Sequence, residues 1–457
     1  MQDLEAMGYP LPEDIEKLKW YGALDECLDL IDRRMAGDIP EALRQKLAIE
    51  KIQIQRMRRD YTVTPEQAEA VLRERLRDWK SGELDELRRG NFIDWCFVEG
   101  QLRYIDSFYE NLIKIRADLR DRQLVPRRDC KRTETEIRDE AIALMKKSGG
   151  AVCTLTIRSR IDLMPPEHGL AGRLRVWLPY PIEDGCQTRT LTLLHAVPDP
   201  SVIAPTGARQ RTLCFDADAA NFRGAEITYR FENHTDYVDP DPERVIPGLP
   251  EGEYLSEQPP HIVFTPYLRA LAAELVGQEQ NSLKKARRIY DFLTQKVNYS
   301  YMRDYFSLPP IPEYCAARLR GDCGVQALTF ITLCRIAGVP ARWQSGLYAN
   351  ENEASSHDWA MFYAAPYGWL YADCSYGGAA WRDGAMERWN FYFGNLDPYR
   401  VVLASDWQAD FIPPTNDLRR DPYDNQRGEV ELDGHSLPGD QWRGGSETLD
   451  VRLAGKA

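Results

Sequence analysis

The apolar positions along the chain change period twice, and each change marks a different kind of element. After Thr64 they fall at Ala68, Val71, Leu72 and Leu76, an i, i+3, i+4, i+8 stripe that predicts an amphipathic helix. Ile15 to Arg34 and Leu43 to Met57 carry similar stripes. Asp38-Ile39-Pro40-Glu41 and Thr64-Pro65-Glu66-Gln67 both read as helix starts: a capping side chain, a proline in the first turn, and an acid or amide at the third helical position. Short helices with one apolar face must pack on each other. Residues 1–125 are therefore expected to form a helical bundle or helical hairpins, a scaffold or a docking surface for a protein partner. From about Ala151 the period drops to two, with Cys153, Leu155 and Ile157 on one side and Val152, Thr154, Thr156 and Arg158 on the other. Arg173 to Leu178, Thr188 to Leu194, Gln210 to Phe215 and Ala225 to Phe231 are similar short runs separated by Gly, Pro and Asp, so residues 136–235 are expected as an antiparallel β-sandwich-like domain. Prolines crowd residues 240–260, which suits a linker or a wrapping loop. Helical spacing resumes at Pro266 to Val276 and Ser282 to Val297. Residues 413–457, rich in Gly, Asp and Pro, are expected as a loosely packed C-terminal tail in which Thr448 to Leu453 could add one edge strand.

Between Val325 and Ala337 the only charge is Arg335, so this run predicts a helix buried on all sides. Asp322 can cap its start, and Gly338 followed by Pro340 can end it. Cys323 then lies in the first turn, where the positive end of the helix stabilises a thiolate and lowers the thiol pKa. Cys334, further along the same helix, reads as core. Next, Ser356 to Tyr363 and Trp369 to Asp373 flank a turn containing Pro366 and Gly368. An antiparallel hairpin over this stretch brings His357 and Asp373 together at its open end. A carboxylate beside a histidine fixes the imidazole tautomer. With a cysteine at a helix start, the three residues supply a nucleophile, a base to activate it and a group to orient the base. Trp359 follows His357 by two and so shares its strand face, which makes it the candidate to flank a substrate. His168, His195 and His234 stand at strand ends or turns without metal-ligand spacing.

Gly321-Asp322-Cys323, Ala327, the run Cys334 to Arg342 (CRIAGVPAR), Gly346, His357-Asp358-Trp359 and Trp369 to Ser375 (WLYADCS) together resemble the core signature of the transglutaminase-like superfamily, in a bacterial-type multidomain member. The resemblance implies a papain-like α+β core over residues 262–412. It also implies Cys323 as nucleophile, His357 as general base and acid, and Asp373 as the orienting carboxylate. Where many members have a Glu two residues after the Trp of the His-x-Trp segment, this chain has Met361. The fold class expected is thus multidomain α+β: an N-terminal α-helical region, an antiparallel β-sandwich-like domain and a papain-like transglutaminase core. The chemistry implied is attack of a thiolate on an amide carbonyl to give a thioester, which water hydrolyses or an amine captures. A cysteine peptidase or amidase acting on a peptide or protein substrate is the leading expectation. Protein-glutamine transglutaminase activity and a catalytically silent binding scaffold are the alternatives. No metal or organic cofactor is implied.

Composition narrows the partners further. Of 457 residues, 58 are Lys or Arg and 71 Asp or Glu, giving a net charge of -13, which argues against a nucleic-acid partner and against docking on an anionic membrane. No apolar run approaches the roughly 18 residues of a membrane span, and the first ten residues do not look like a secretory signal. Ten cysteines without a C-x-x-C pair fit a reducing compartment, and a cytoplasmic location is expected.

Overall fold

The computed structural model describes residues 4–124, 132–164, 169–183, 187–252, 254–308 and 310–456. Three large apolar clusters organise them: one among the N-terminal helices, one inside a pair of β-sheets, and one around the helix that begins at Cys323.

The N-terminal stripes are helices, including Leu24–Met35, Glu41–Asp60 and Pro65–Arg75, and they are joined by one β-hairpin of Trp95–Val98 and Gln101–Tyr104. Thr64 forms a reciprocal capping box with Gln67. Asp38 does not cap its helix. The backbone is still extended at Pro40, so helix Glu41–Asp60 begins too far along for the Asp38 side chain to reach its first amides. The long helix Glu41–Asp60 grips the core through buried polar groups. Gln53 Nε2 donates to the Phe306 carbonyl at 2.7 Å, and Arg56 Nη1 donates to the Arg420 carbonyl at 2.7 Å. Asp60 accepts from the Asp304 amide at 2.9 Å, and Asn111 accepts from the Tyr301 amide at 2.6 Å. The segment Tyr301–Phe306 is therefore held by the helical region, and its Tyr305 hydroxyl donates to Asp322, next to Cys323.

The β-region is two sheets. One orders Trp442–Gly455, Gly150–Leu163, Gly224–Asp236 and Thr188–Val197; the other orders His435–Ser436, Glu429–Leu432, Arg173–Pro179, Thr212–Asp218 and Val202–Ile203. A helix, Glu134–Ser148, precedes the first strand. Cys153, Leu155 and Ile157 are fully buried, as period-two alternation requires. The expectation of a loose C-terminal tail is corrected: Trp442–Gly455 pairs along its whole length with Gly150–Leu163, and Glu429–Leu432 pairs with Arg173–Pro179. The last strand is an edge strand: Trp442 is buried in the sandwich core, and its other side chains are partly or fully exposed.

The core sheet has five strands in the order Phe393–Gly394, Gly368–Ala372, Ala354–Ala364, Ala341–Ala349 and Arg400–Ala404. Helix Cys323–Ile336 is buried from Gly324 to Arg335 and packs on this sheet, with Phe330 and Phe362 ring centroids 5.8 Å apart. Each such fully buried large apolar side chain contributes about 1.5–3 kcal/mol relative to exposure. The proline-rich stretch after residue 240 wraps the core, with the Ile246 amide bonded to the Ala365 carbonyl at 2.9 Å. The molecule is thus multidomain α+β, with a mixed helix and antiparallel-sheet core.

Candidate active site

Strand Ala354–Ala364 carries the site. Its neighbour Ala341–Ala349 pairs with it so that Gly346 lies opposite His357 and Ser345 opposite Asp358. On the other side Ala360 pairs with Ala372, so the hairpin returns Asp373 to the level of Trp359. His357 Nε2 lies 2.7 Å from Asp373 Oδ2, and both side chains are buried. The Asp373 carboxylate therefore holds the proton on Nε2 and leaves the Nδ1 lone pair free to act as a base. Asp373 also caps helix Cys374–Arg382 by accepting from the Tyr376 amide at 2.9 Å, which fixes its rotamer.

Two further residues complete this side of the strand, and neither is evident from sequence. Arg400 is wholly buried, with Nη1 2.9 Å from Asp373 Oδ2 and Nη2 2.5 Å from Asp397 Oδ2. Its guanidinium lies among the rings of Tyr348, Trp359, Tyr376 and Tyr392. Burial alone would raise the Asp373 pKa. The charges of His357 and Arg400 and the hydrogen bonds from His357 and the Tyr376 amide outweigh it and hold the carboxyl below the usual range. Burial lowers the His357 pKa, opposed by Asp373. The sequence holds one faint sign of Arg400, a cationic residue opening the otherwise apolar strand Arg400–Ala404.

Trp359 stacks near His357, with ring centroids 6.1 Å apart, and its Nε1 donates to Gln344 Oε1 at 2.7 Å. It is 0% exposed, so the expected substrate contact is corrected: Trp359 is a packed wall behind the histidine with no surface free for a ligand.

Cys323 stands where the sequence puts it, as the first residue of its helix, with Asp322 accepting from the Val325 amide at 3.1 Å as the cap. Cys323 as a residue keeps some exposed surface, while its thiol is turned inward to Asp358. Among the described residues the thiol's hydrogen bond runs to Asp358 Oδ2, at 3.3 Å, rather than to His357. Asp358 and His357 are adjacent, and their side chains alternate across the strand: Asp358 shares a face with Ala360 and Phe362, which pack on the cysteine helix, and His357 shares a face with Trp359. Gly324 makes room for this approach, since a Cβ there would fall 2.7 Å from Asp358 Oδ2 and 2.4 Å from the Tyr305 hydroxyl. The expected low thiol pKa is also corrected. Burial, followed by the charges of Asp358 and Asp322, pushes the Cys323 thiol well up, beyond what a helix N-terminus offsets.

Behind the thiol lies a second buried polar group. Asp358 accepts from Gln426 Nε2 at 2.5 Å and is electrostatically coupled to Asp424, which accepts from Ser345 Oγ. Burial raises Asp322 and Asp424 to about 6 and Asp358 well above the carboxylate range. Among the described residues none of these three carboxyls pairs with Lys, Arg or His, and no group of three His, Cys, Asp or Glu could hold a metal ion.

Comparison with known proteins covers this part of the chain. The family model described as the transglutaminase-like superfamily matches residues 269–374. Among solved structures, the chain is similar to a candidate cysteine protease from Cytophaga hutchinsonii, at 16% identity and a TM-score of 0.44, over 66% of this chain and 92% of that one. It is also similar to the periplasmic domain of TgpA from Pseudomonas aeruginosa, at 16% identity and a TM-score of 0.30, over 55% of this chain and 95% of that one. No curated protein matches. Among the described residues no helix is long and apolar enough to cross a membrane. The chain is a multidomain α+β protein in which residues 269–374 match the model of the transglutaminase-like superfamily core.

Proposed function

We propose that the protein is a thiol-dependent amide-bond enzyme working through a Cys323 thioester, a cysteine peptidase or amidase on peptide or protein substrates. The observation that carries the reading is the buried His357–Asp373 pair at 2.7 Å beside a strand residue already bonded to the Cys323 thiol. In this reading the Cys323 thiolate attacks an amide carbonyl, and the amide nitrogen leaves with a proton from His357. Water then adds to the thioester with His357 as base, and Asp373 keeps the imidazole in the reactive tautomer throughout. Backbone amides at the start of the cysteine helix are suited to receive the oxyanion. The described cysteines are all free thiols, which suits a reducing compartment such as the cytoplasm. The buried contacts of Gln53, Arg56 and Asn111 support a second role for the helical region, bracing the segment before Cys323, beside that of a partner surface.

The test is mass spectrometry of a peptide-library reaction, run with and without a primary amine. Backbone cleavage or deamidation by water supports the hydrolase. Loss of ammonia with gain of the amine would instead mark a transglutaminase, and no reaction under either condition would favour a binding scaffold.

A further inference from the structure

We propose, resting on the reading of Cys323 as nucleophile, that Asp358 is a positioning residue that holds Cys323 as a neutral thiol in the resting enzyme, and that the nucleophile forms only when this hydrogen bond breaks. The thiol donates to Asp358 Oδ2 at 3.3 Å, so the sulfur's proton points at a carboxyl group and not at the imidazole. The carboxyl is itself fixed from two other elements. Gln426 Nε2 donates to its Oδ1 at 2.5 Å and also to the His357 carbonyl at 3.3 Å, and Asp424 from the same loop interacts with it electrostatically. Burial and their mutual repulsion push both carboxyls up, so the pair resists carrying two negative charges.

Among the described residues, the titratable groups that act on the thiol and Asp358 are acids and phenols. Asp322 comes from the start of the cysteine helix and Tyr305 and Tyr299 from the segment before it, while Asp424 with Asp421 behind it comes from the loop. Ser345 comes from the neighbouring strand. His357 lies on Asp358's own strand with its ring on the other face. A thiolate formed in place would therefore sit in hydrogen-bond contact with an anionic carboxyl pair, in surroundings that screen charge poorly. The stable state is the neutral thiol.

Activation then needs one bond to break and one to form. Because His357 lies on the other face of the strand at rest, the sulfur must leave Asp358 and the imidazole must come within hydrogen-bond reach; the S–H bond then breaks, its proton forms an N–H bond on His357 Nδ1, and the electron pair stays on sulfur. The products are a thiolate and an imidazolium steadied by Asp373. Asp358 gains and loses no proton in this step, because Gln426 keeps its hydrogen bond to it and Asp424 its electrostatic interaction. The arrangement makes the resting enzyme slow to react with electrophiles and ties nucleophile formation to whatever displaces the thiol, such as an entering substrate.

The test is the pH profile of Cys323 alkylation by iodoacetamide, read by mass spectrometry on the full-length chain. In Asp358→Asn the carboxyl touching the thiol is gone and the pair's charge stays on Asp424, farther from the sulfur, so the profile's midpoint moves down by about one pH unit and the rate at neutral pH rises roughly tenfold. Asp424→Asn gives the opposite result. The new amide donates to Asp358 and fixes its negative charge, so the midpoint rises. This second variant keeps the test decisive if Asp358→Asn does not fold. An unchanged or raised midpoint in folded Asp358→Asn, or a lowered one in Asp424→Asn, overturns the proposal. Amide turnover on the same preparations separates this from the underlying reading. Turnover that survives Cys323→Ala removes the nucleophile assignment, whereas unshifted alkylation with Cys323-dependent turnover removes only the role of Asp358.

Discussion

The two faces of strand Ala354–Ala364 solve the problem of buried charge in opposite ways. On the His357 face, the carboxylates Asp373 and Asp397 share the guanidinium of Arg400 and the imidazole, so each fixed charge has an opposite charge in contact. On the Asp358 face, the donors to Asp358, Asp322 and Asp424 among the described residues are neutral: Tyr305, Ser345, Gln426, a thiol and backbone amides. The first arrangement keeps Asp373 ionised; the second forces carboxyls to take up protons. One face is thus built to orient a base permanently and the other to hold a proton that can move, and Cys323 stands against the second.

The comparison breaks most severely where the charge-balanced face loses its orienting group. Asp373→Asn leaves the packing in place but lets the imidazole take the wrong tautomer, and kcat/KM for amide turnover is expected to fall by roughly 10⁴. Arg400→Met strands two buried carboxylates, and urea unfolding should show a loss of about 3–5 kcal/mol. A loss under 1 kcal/mol would mean that Asp373 and Asp397 are not held by Arg400.

The carboxyl-rich face gives a smaller effect of recognisable sign. Asp322 and Asp424 have folded pKa values raised to about 6. Their contribution to stability is fully present below the unfolded carboxyl value of about 4 and is lost as pH rises through 6. Asp373, with its value depressed, works the other way: its contribution is present above about pH 4 and is lost as pH falls below that. Urea unfolding between pH 4.5 and 7 should therefore show stability declining with pH, with uptake of about one proton per raised group on folding. Asp424→Asn should flatten the slope, and an unchanged slope in that variant would show that Asp424 is not the group responsible. The smallest effect belongs to a site remote from both faces. Thr64→Ala removes a capping box and should cost about 1 kcal/mol without changing turnover.

What the sequence shows of this site is what short-range rules govern. The buried helix, its cap at Asp322 and the return of Asp373 to His357 across a short turn all depend on residues within one or two elements. Arg400, Asp397, Asp424 and Gln426 reach the site from a later strand and loops, and no local pattern announces a contact made by tertiary packing. The loop bearing Asp424 and Gln426 lies in the stretch whose composition suggested a loose tail. It is instead fixed between the core sheet and the strands that close the sandwich. Asp358 looks like a spacer between His357 and Trp359, and strand alternation makes it the residue that meets the thiol. The low thiol pKa expected from the helix start failed for the same reason: a helix N-terminus is a weak field beside burial and a contacting carboxyl.

The most direct test of the central claim is the intact mass of the protein quenched in acid during turnover on the peptide library, followed by mapping of the modified residue. The account predicts an acyl adduct on Cys323 in the native chain, and neither adduct nor turnover in Cys323→Ala. Full turnover by a folded Cys323→Ala protein would contradict it.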